Sequence, residues 1–148
     1  MSRILGIDHG TVRIGLALSD ELHMFANPLK TLDVTPEVEH DIATIVQQKR
    51  VEEIVIGLPL RMSGERGSAA DRVDRFADRL RKVLPDEVQI HFVDERLTSS
   101  AAERSLGFTG KKLDREQKKL IDQVAAVAIL QDYLNTKAGN DAWMLPEE

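Results

Sequence analysis

The sequence predicts an α/β protein with one mixed sheet, opened by an antiparallel hairpin and continued by strands alternating with helices on both faces. Three observations predict it. Residues 4–8 and 12–19 are apolar-rich runs joined by a short turn containing Gly10, a hairpin signal. EIVIG at 53–57 has three successive apolar residues, the pattern of a strand covered on both faces in a parallel sheet. Helical periodicity then fills the spaces between extended runs, giving the order β-β-β-α-β-α-β-α-α.

Each element has a local reason. A third extended run spans 24–31, where Pro28 restricts it to an edge or a bulge. Thr35 followed by Pro36 reads as a helix N-cap with proline at the first helical position, and the helix runs to about residue 48 with Val38, Ile42, Ile45 and Val46 on one face. A second helix at about 68–84 places Ala69, Val73, Phe76, Ala77 and Leu80 towards the core. A strand at 88–93 ends in Asp94 and Glu95. Ser100 to Glu103 has capping-box spacing for a short helix, a basic loop follows from 107 to about 115, and a final helix covers about 116–136. The organisation expected is a single domain over 1–137 and a C-terminal tail over 138–148, with no linker or repeat between.

The bulk composition narrows the function. The chain has 148 residues, 42% hydrophobic and 30% charged, as in soluble globular proteins, with no run suited to a membrane and no signal-peptide pattern. Cysteine is absent, which removes disulfides and thiolate chemistry, and a cytoplasmic location is the expectation. The net charge of −5 speaks weakly against a nucleic-acid partner. Its distribution is uneven: residues 20–53 carry eight acids against three bases, and 96–119 carry seven bases against three acids. One end of such a molecule can still receive phosphates.

Four acidic residues stand out, at three places in the chain. Asp8 ends the first strand, Asp94 and Glu95 end the last, and Asp122 shares a helix face with Ala125, Ala126, Ile129 and Tyr133. Each has an ordinary explanation: a turn bond for Asp8, Arg96 as partner for Asp94, Lys118 or Lys119 for Asp122. Taken together, strand ends lie at one sheet edge, where ligands bind, and a helix across the sheet can bring Asp122 there. Converging carboxylates repel one another unless a cation lies between them. Oxygen-only ligands select a hard ion, Mg²⁺ or Mn²⁺, which can activate water against a phosphodiester. Strand alternation sets Asp94 with Val88, Ile90 and Phe92, and Glu95 with Gln89 and His91. Parity fails at strand ends, so both stay candidates.

The loop GLPLRMSGERG at 57–67 follows a strand and precedes a helix. Gly57, Gly64 and Gly67 permit close backbone approach, and Arg61 and Arg66 could meet phosphates, although the lysine and spacing of a Walker A loop are missing. Lys111 and Lys112, beside the glycines at 107 and 110, make a second candidate phosphate contact. The four histidines show no ligand spacing, and His9, next to Asp8, reads as a bystander.

Four blocks carry a resemblance: GIDHGTVRIGLALSD, IVIGLPLRMSGERGSAADRVDRFADRL, VDERLTSSAAERSL and LIDQVAAVAILQDYL. In this order they resemble the YqgF family, small bacterial Holliday-junction-resolvase-like proteins described as pre-16S rRNA nucleases with an RNase H-like fold. The resemblance implies an acidic metal site from Asp8, Glu95 and Asp122, with Asp94 adjacent, and a nucleic-acid groove lined by Arg13, Arg61, Arg96 and Thr98. It departs at Ser99, where the family usually has threonine, and the hydroxyl is kept.

The function expected is metal-dependent endonucleolytic hydrolysis of structured RNA in ribosomal RNA maturation, with branched DNA as the alternative substrate. Two other classes compete. The GIDHGTVRIG hairpin also resembles the first phosphate loop of sugar-kinase and actin-like ATPases, but the chain has room for one domain and no second loop. A nucleic-acid-binding factor without catalysis is the other, and the retained acids argue against it.

Overall fold

The computed structural model describes residues 2–61, 63–95 and 114–137. The predicted hairpin forms from β1 (Arg3–His9) and β2 (Arg13–Ser19), which pair antiparallel from Leu5↔Leu18 to His9↔Ile14. β3 (Ala26–Asp33) pairs antiparallel with β2. After α1 (Val38–Gln48), β4 (Val51–Leu58) lies parallel to β1, and after α2 (Ser68–Val83), β5 (Gln89–Asp94) lies parallel to β4. The sheet order is β3-β2-β1-β4-β5, and α3 (Arg115–Lys137) crosses it.

The two sheet faces differ in side-chain size, and this difference sets what packs on them. Leu5, Ile7, Ile14, Leu16, Ile54 and Ile56 point to one face and bury Ile42 of α1 and Phe76 and Leu80 of α2. Ile4, Ala17 and Val55 point to the other and meet Ala126, Ile129, Leu130 and Leu134 of α3. Gly6 lies on this second face, and a Cβ there would fall 2.7 Å from Leu130 Cβ and 3.0 Å from the Ala126 carbonyl oxygen. The small residues let α3 lie against the sheet backbone itself. Helices cover both faces, as expected from the run of apolar residues in β4.

Pro28 has both of its expected effects. β3 is an edge strand, and its register with β2 shifts between Leu16↔Lys30 and Ala17↔Pro28. The edge is partly closed by α3: Gln131 Oε1 accepts from the Ala26 amide at 2.8 Å, and Thr31 Oγ1 donates to the Lys119 carbonyl at 2.7 Å.

β3 starts two residues later than residue 24 because Asp20 takes the amides. Its Oδ1 accepts from Met24 N at 2.8 Å and Phe25 N at 2.9 Å. The Phe25 amide, with Met24 behind it, holds the Asp20 carboxyl below its ordinary pKa against a smaller opposing effect of burial. A lowered folded pKa contributes stability above the unfolded value, lost as pH falls through the folded one. Asp20→Ala is therefore expected to lower the melting temperature at about pH 6, with the difference from the parent shrinking as the pH falls below the ordinary carboxylate range, read by thermal melts across pH.

Other boundaries move for local reasons. Thr35 Oγ1 accepts from the Glu37 amide at 3.2 Å, as a cap would, yet residues 36 and 37 form a turn and α1 begins at Val38. In α2 the buried alanine of the first turn is Ala70 rather than Ala69. Val88 stays outside β5 because its amide bonds the Pro85 carbonyl. α3 starts with a reciprocal cap: Gln117 N donates to Asp114 Oδ1 at 2.8 Å, and Asp114 N donates to Gln117 Oε1 at 3.0 Å. The capping box at Ser100, the basic loop and the tail 138–148 lie outside the described residues.

Candidate active site

Asp8 is 2% exposed, although it carries a carboxylate at a strand end. It pairs directly with Gly15 of β2, and opposite residues in an antiparallel pair share a face. Asp8 therefore points to the α3 side. On the other flank the β1–β4 register ends at Ile7↔Ile56, so Gly57 is the residue of β4 beside Asp8. Neighbouring strands are about 4.8 Å apart, so Asp8 sits between two glycines separated by about 10 Å.

Each glycine makes room for another acidic residue. A Cβ on Gly15 would overlap the Asp122 carbonyl and fall 3.0 Å from Asp122 Cβ. A Cβ on Gly57 would fall 2.5 Å from Glu95 Oε1, 2.8 Å from Glu95 Cγ and 2.6 Å from Ile129 Cδ1. The structure thus brings Asp8, Glu95 and Asp122 to one edge of one sheet face. Asp94 alternates to the opposite face, with Phe92 and with Ile90, which packs on the α1–α2 core. The role of Gly15 was missed from sequence. An isolated glycine inside the strand pattern RIGLALS was the available signal for close backbone approach.

Asp122 has a partner that sequence spacing did not suggest. Arg13 Nε donates to Asp122 Oδ2 at 2.7 Å across 109 positions, with the side chains 26% and 17% exposed. Neither Lys118 nor Lys119 plays this part. The β1–β2 turn fixes Arg13: Gly10 N bonds the Arg13 carbonyl at 2.9 Å, and a Cβ on Gly10 would sit 2.5 Å from that oxygen.

The donor set is all carboxylate oxygen, which fits a hard divalent cation and not a zinc site. Asp122 and Glu95 lie on the two glycines that flank Asp8, and the three acids do not form a ready coordination shell. Among the described residues no three of His, Cys, Asp and Glu stand as a metal-ligating group.

The remaining candidates fall in several places. His9 points away from the carboxylates, its ring 4.5 Å from that of Phe76. Burial, then the charges of Arg79 and Arg72, push its pKa down, so it is neutral at pH 7. The glycine loop folds on itself: Leu60 bridges Arg66, Arg61 N bonds the Glu65 carbonyl at 2.9 Å, and Gly64 turns at φ 89°. Gly57 belongs to β4 and opens towards Glu95 and Ile129 rather than into that loop. Arg66 is ion-paired with Asp74, while the Arg61 side chain lies over Gly67 at the start of α2. Arg96, Thr98, Lys111 and Lys112 lie outside the described residues. Arg72 and Arg75, exposed on α2, were not singled out from sequence. Arg72 acts on the His9 ring at the end of β1, and neither arginine has an ion-pair partner among the described residues.

A family model described as "RuvX: Holliday junction resolvase" matches residues 2–136. The chain belongs to the RuvX family. This is the family of Holliday-junction-resolvase-like proteins whose motif blocks the sequence carries. Curated relatives of this RuvX chain named "Putative pre-16S rRNA nuclease" include one from Chloroflexus aurantiacus, 48% identical over 93% of this chain and 89% of its own. Another, from Bacteroides fragilis, is 44% identical over 93% of this chain and 99% of its own. Among solved structures, Thermus thermophilus RuvC in complex with a Holliday junction substrate superposes with a TM-score of 0.55 at 13% identity, covering 94% of this chain and 97% of RuvC. The fowlpox virus Holliday junction resolvase gives 0.52 at 13% identity over 90% and 99%. These structural likenesses establish a resolvase-type, RNase H-like fold for the RuvX chain. No helix among the described residues is long and apolar enough to cross a membrane.

Proposed function

We propose that this chain is a metal-dependent endonuclease that hydrolyses phosphodiester bonds in precursor 16S ribosomal RNA, maturing its 5′ end in the cytoplasm. The observation that carries the reading is Asp8, buried between Gly15 and Gly57, with Asp122 packed on the first glycine and Glu95 on the second. The shared family and the names of close relatives support the reaction class and the RNA substrate.

Asp8, Glu95 and Asp122 would hold Mg²⁺ or Mn²⁺. Such an ion supplies an activated water and neutralises charge on the leaving oxygen. The chain's own residues contribute position and charge. Burial keeps the Asp8 carboxylate from reorienting into water, and the sheet glycines set the spacing of the acids. Arg61 at the start of α2 and Arg72 and Arg75 along it offer guanidinium groups to substrate phosphates, joined in this reading by Arg96, Thr98, Lys111 and Lys112. Arg66 contributes less, since Asp74 already holds it.

Purified protein incubated with precursor rRNA and with a four-way DNA junction, each with Mg²⁺, Mn²⁺ or chelator, tests the function. RNA cleavage that needs the cation is expected. Cleavage of the junction alone, or cleavage unaffected by chelator, would overturn the reading. Replacing Arg72 and Arg75 with alanine is expected to weaken RNA binding and reduce its log–log salt slope by roughly 0.7–0.9 per lost phosphate contact. Salt titrations of the two proteins measure this, and an unchanged slope would remove α2 from the binding surface.

A further inference from the structure

We propose that Arg13 is a placeholder for the cation on Asp122: its guanidinium occupies the carboxylate until a divalent ion displaces it, and it is then released towards a substrate phosphate. The inference rests on the carboxylate reading of the site. Its own observation is the 2.7 Å charge-assisted bond from Arg13 Nε to Asp122 Oδ2.

Neither partner can easily give way by moving its backbone. Gly15 is in direct apposition to the Asp122 main chain, and Gly10 clamps the Arg13 carbonyl. A dication and a guanidinium bound to the same small carboxylate would repel at close range. The side chain of Arg13 is the part free to move. It is long, partly exposed and at the start of β2, while Asp122 is the more covered partner. Arg13 therefore positions Asp122 before metal loading and opposes loading. A released guanidinium has the donor fork suited to phosphate.

The test is direct Mn²⁺ binding to the full chain, read by the electron paramagnetic resonance of free Mn²⁺, for the parent, Arg13→Gln and Arg13→Lys. Arg13→Gln is expected to bind Mn²⁺ about two- to fivefold more tightly, the factor a partly exposed ion pair can withhold. Arg13→Lys, which keeps the charge without the Nε donor, should fall between and serves if the glutamine variant fails to fold. Parent binding with equal or weaker binding by the variants would overturn the placeholder role and leave the metal site standing. No Mn²⁺ binding by any of the three would overturn the carboxylate reading and this inference with it.

Discussion

Gly15→Ala is expected to destabilise the fold by about 3 kcal/mol, the upper part of the range for overpacking, and to lower the melting temperature by about 10 °C. The reason is what the new methyl group would meet. It would overlap the carbonyl of Asp122, a backbone atom inside a 23-residue helix. No side-chain rotation relieves that contact, so α3 must lift from the sheet or β2 must bend. Either movement carries Asp122 away from Asp8, so activity should fall further than stability alone explains. Gly67→Ala is the matched comparison. Its methyl group would meet the flexible Arg61 side chain, and its cost should stay near 1 kcal/mol, that of an altered N-cap. Thermal melts of the two variants decide the point, and a Gly15→Ala protein melting with the parent would mean that α3 is not seated as described.

Asp8→Asn is expected to reduce RNA cleavage by at least about 10³-fold, more than the 10- to 100-fold typical of losing an outer partner of a metal site. The fold should hold, with a melting temperature in chelator equal to or above the parent's. Burying a carboxylate to 2% exposure is costly, and asparagine keeps the shape without the charge. Cleavage rates and melts on the same preparations separate this outcome from a structural role. Loss of activity in step with loss of folded protein would make Asp8 a fold residue.

Much of this architecture was legible in the sequence because its signals are local. Apolar runs, Gly10 in the hairpin turn, Pro28 on an edge and the periodicity of the second helix each state a rule a few residues long. The convergence of acids was legible only in outline. Strand ends predict an edge, but the spacing across that edge depends on which residues of β1, β2 and β4 lie side by side. The β1–β4 part of that register pairs residues far apart in the sequence, such as Ile7 with Ile56, which a local pattern does not fix. Alternation left Asp94 and Glu95 both open; Asp94 keeps the parity of β5, while Glu95 lies just past the strand end, where alternation no longer applies. The Arg13–Asp122 pair was hidden for a different reason. It joins residues 109 positions apart, whereas charge spacing along a helix favours partners one turn away, here Lys118 and Lys119. The late start of β3 turned on one carboxylate, Asp20, competing for amides that the residue pattern alone assigned to the strand.

Crystals soaked in Mn²⁺ and measured for anomalous scattering test the central claim most directly. The account predicts a peak between the Asp8 and Glu95 carboxylates on the α3 face, with Asp122 turned to it and Arg13 released. Manganese bound elsewhere, with Asp8 taking no part and Arg13 still on Asp122, would contradict it.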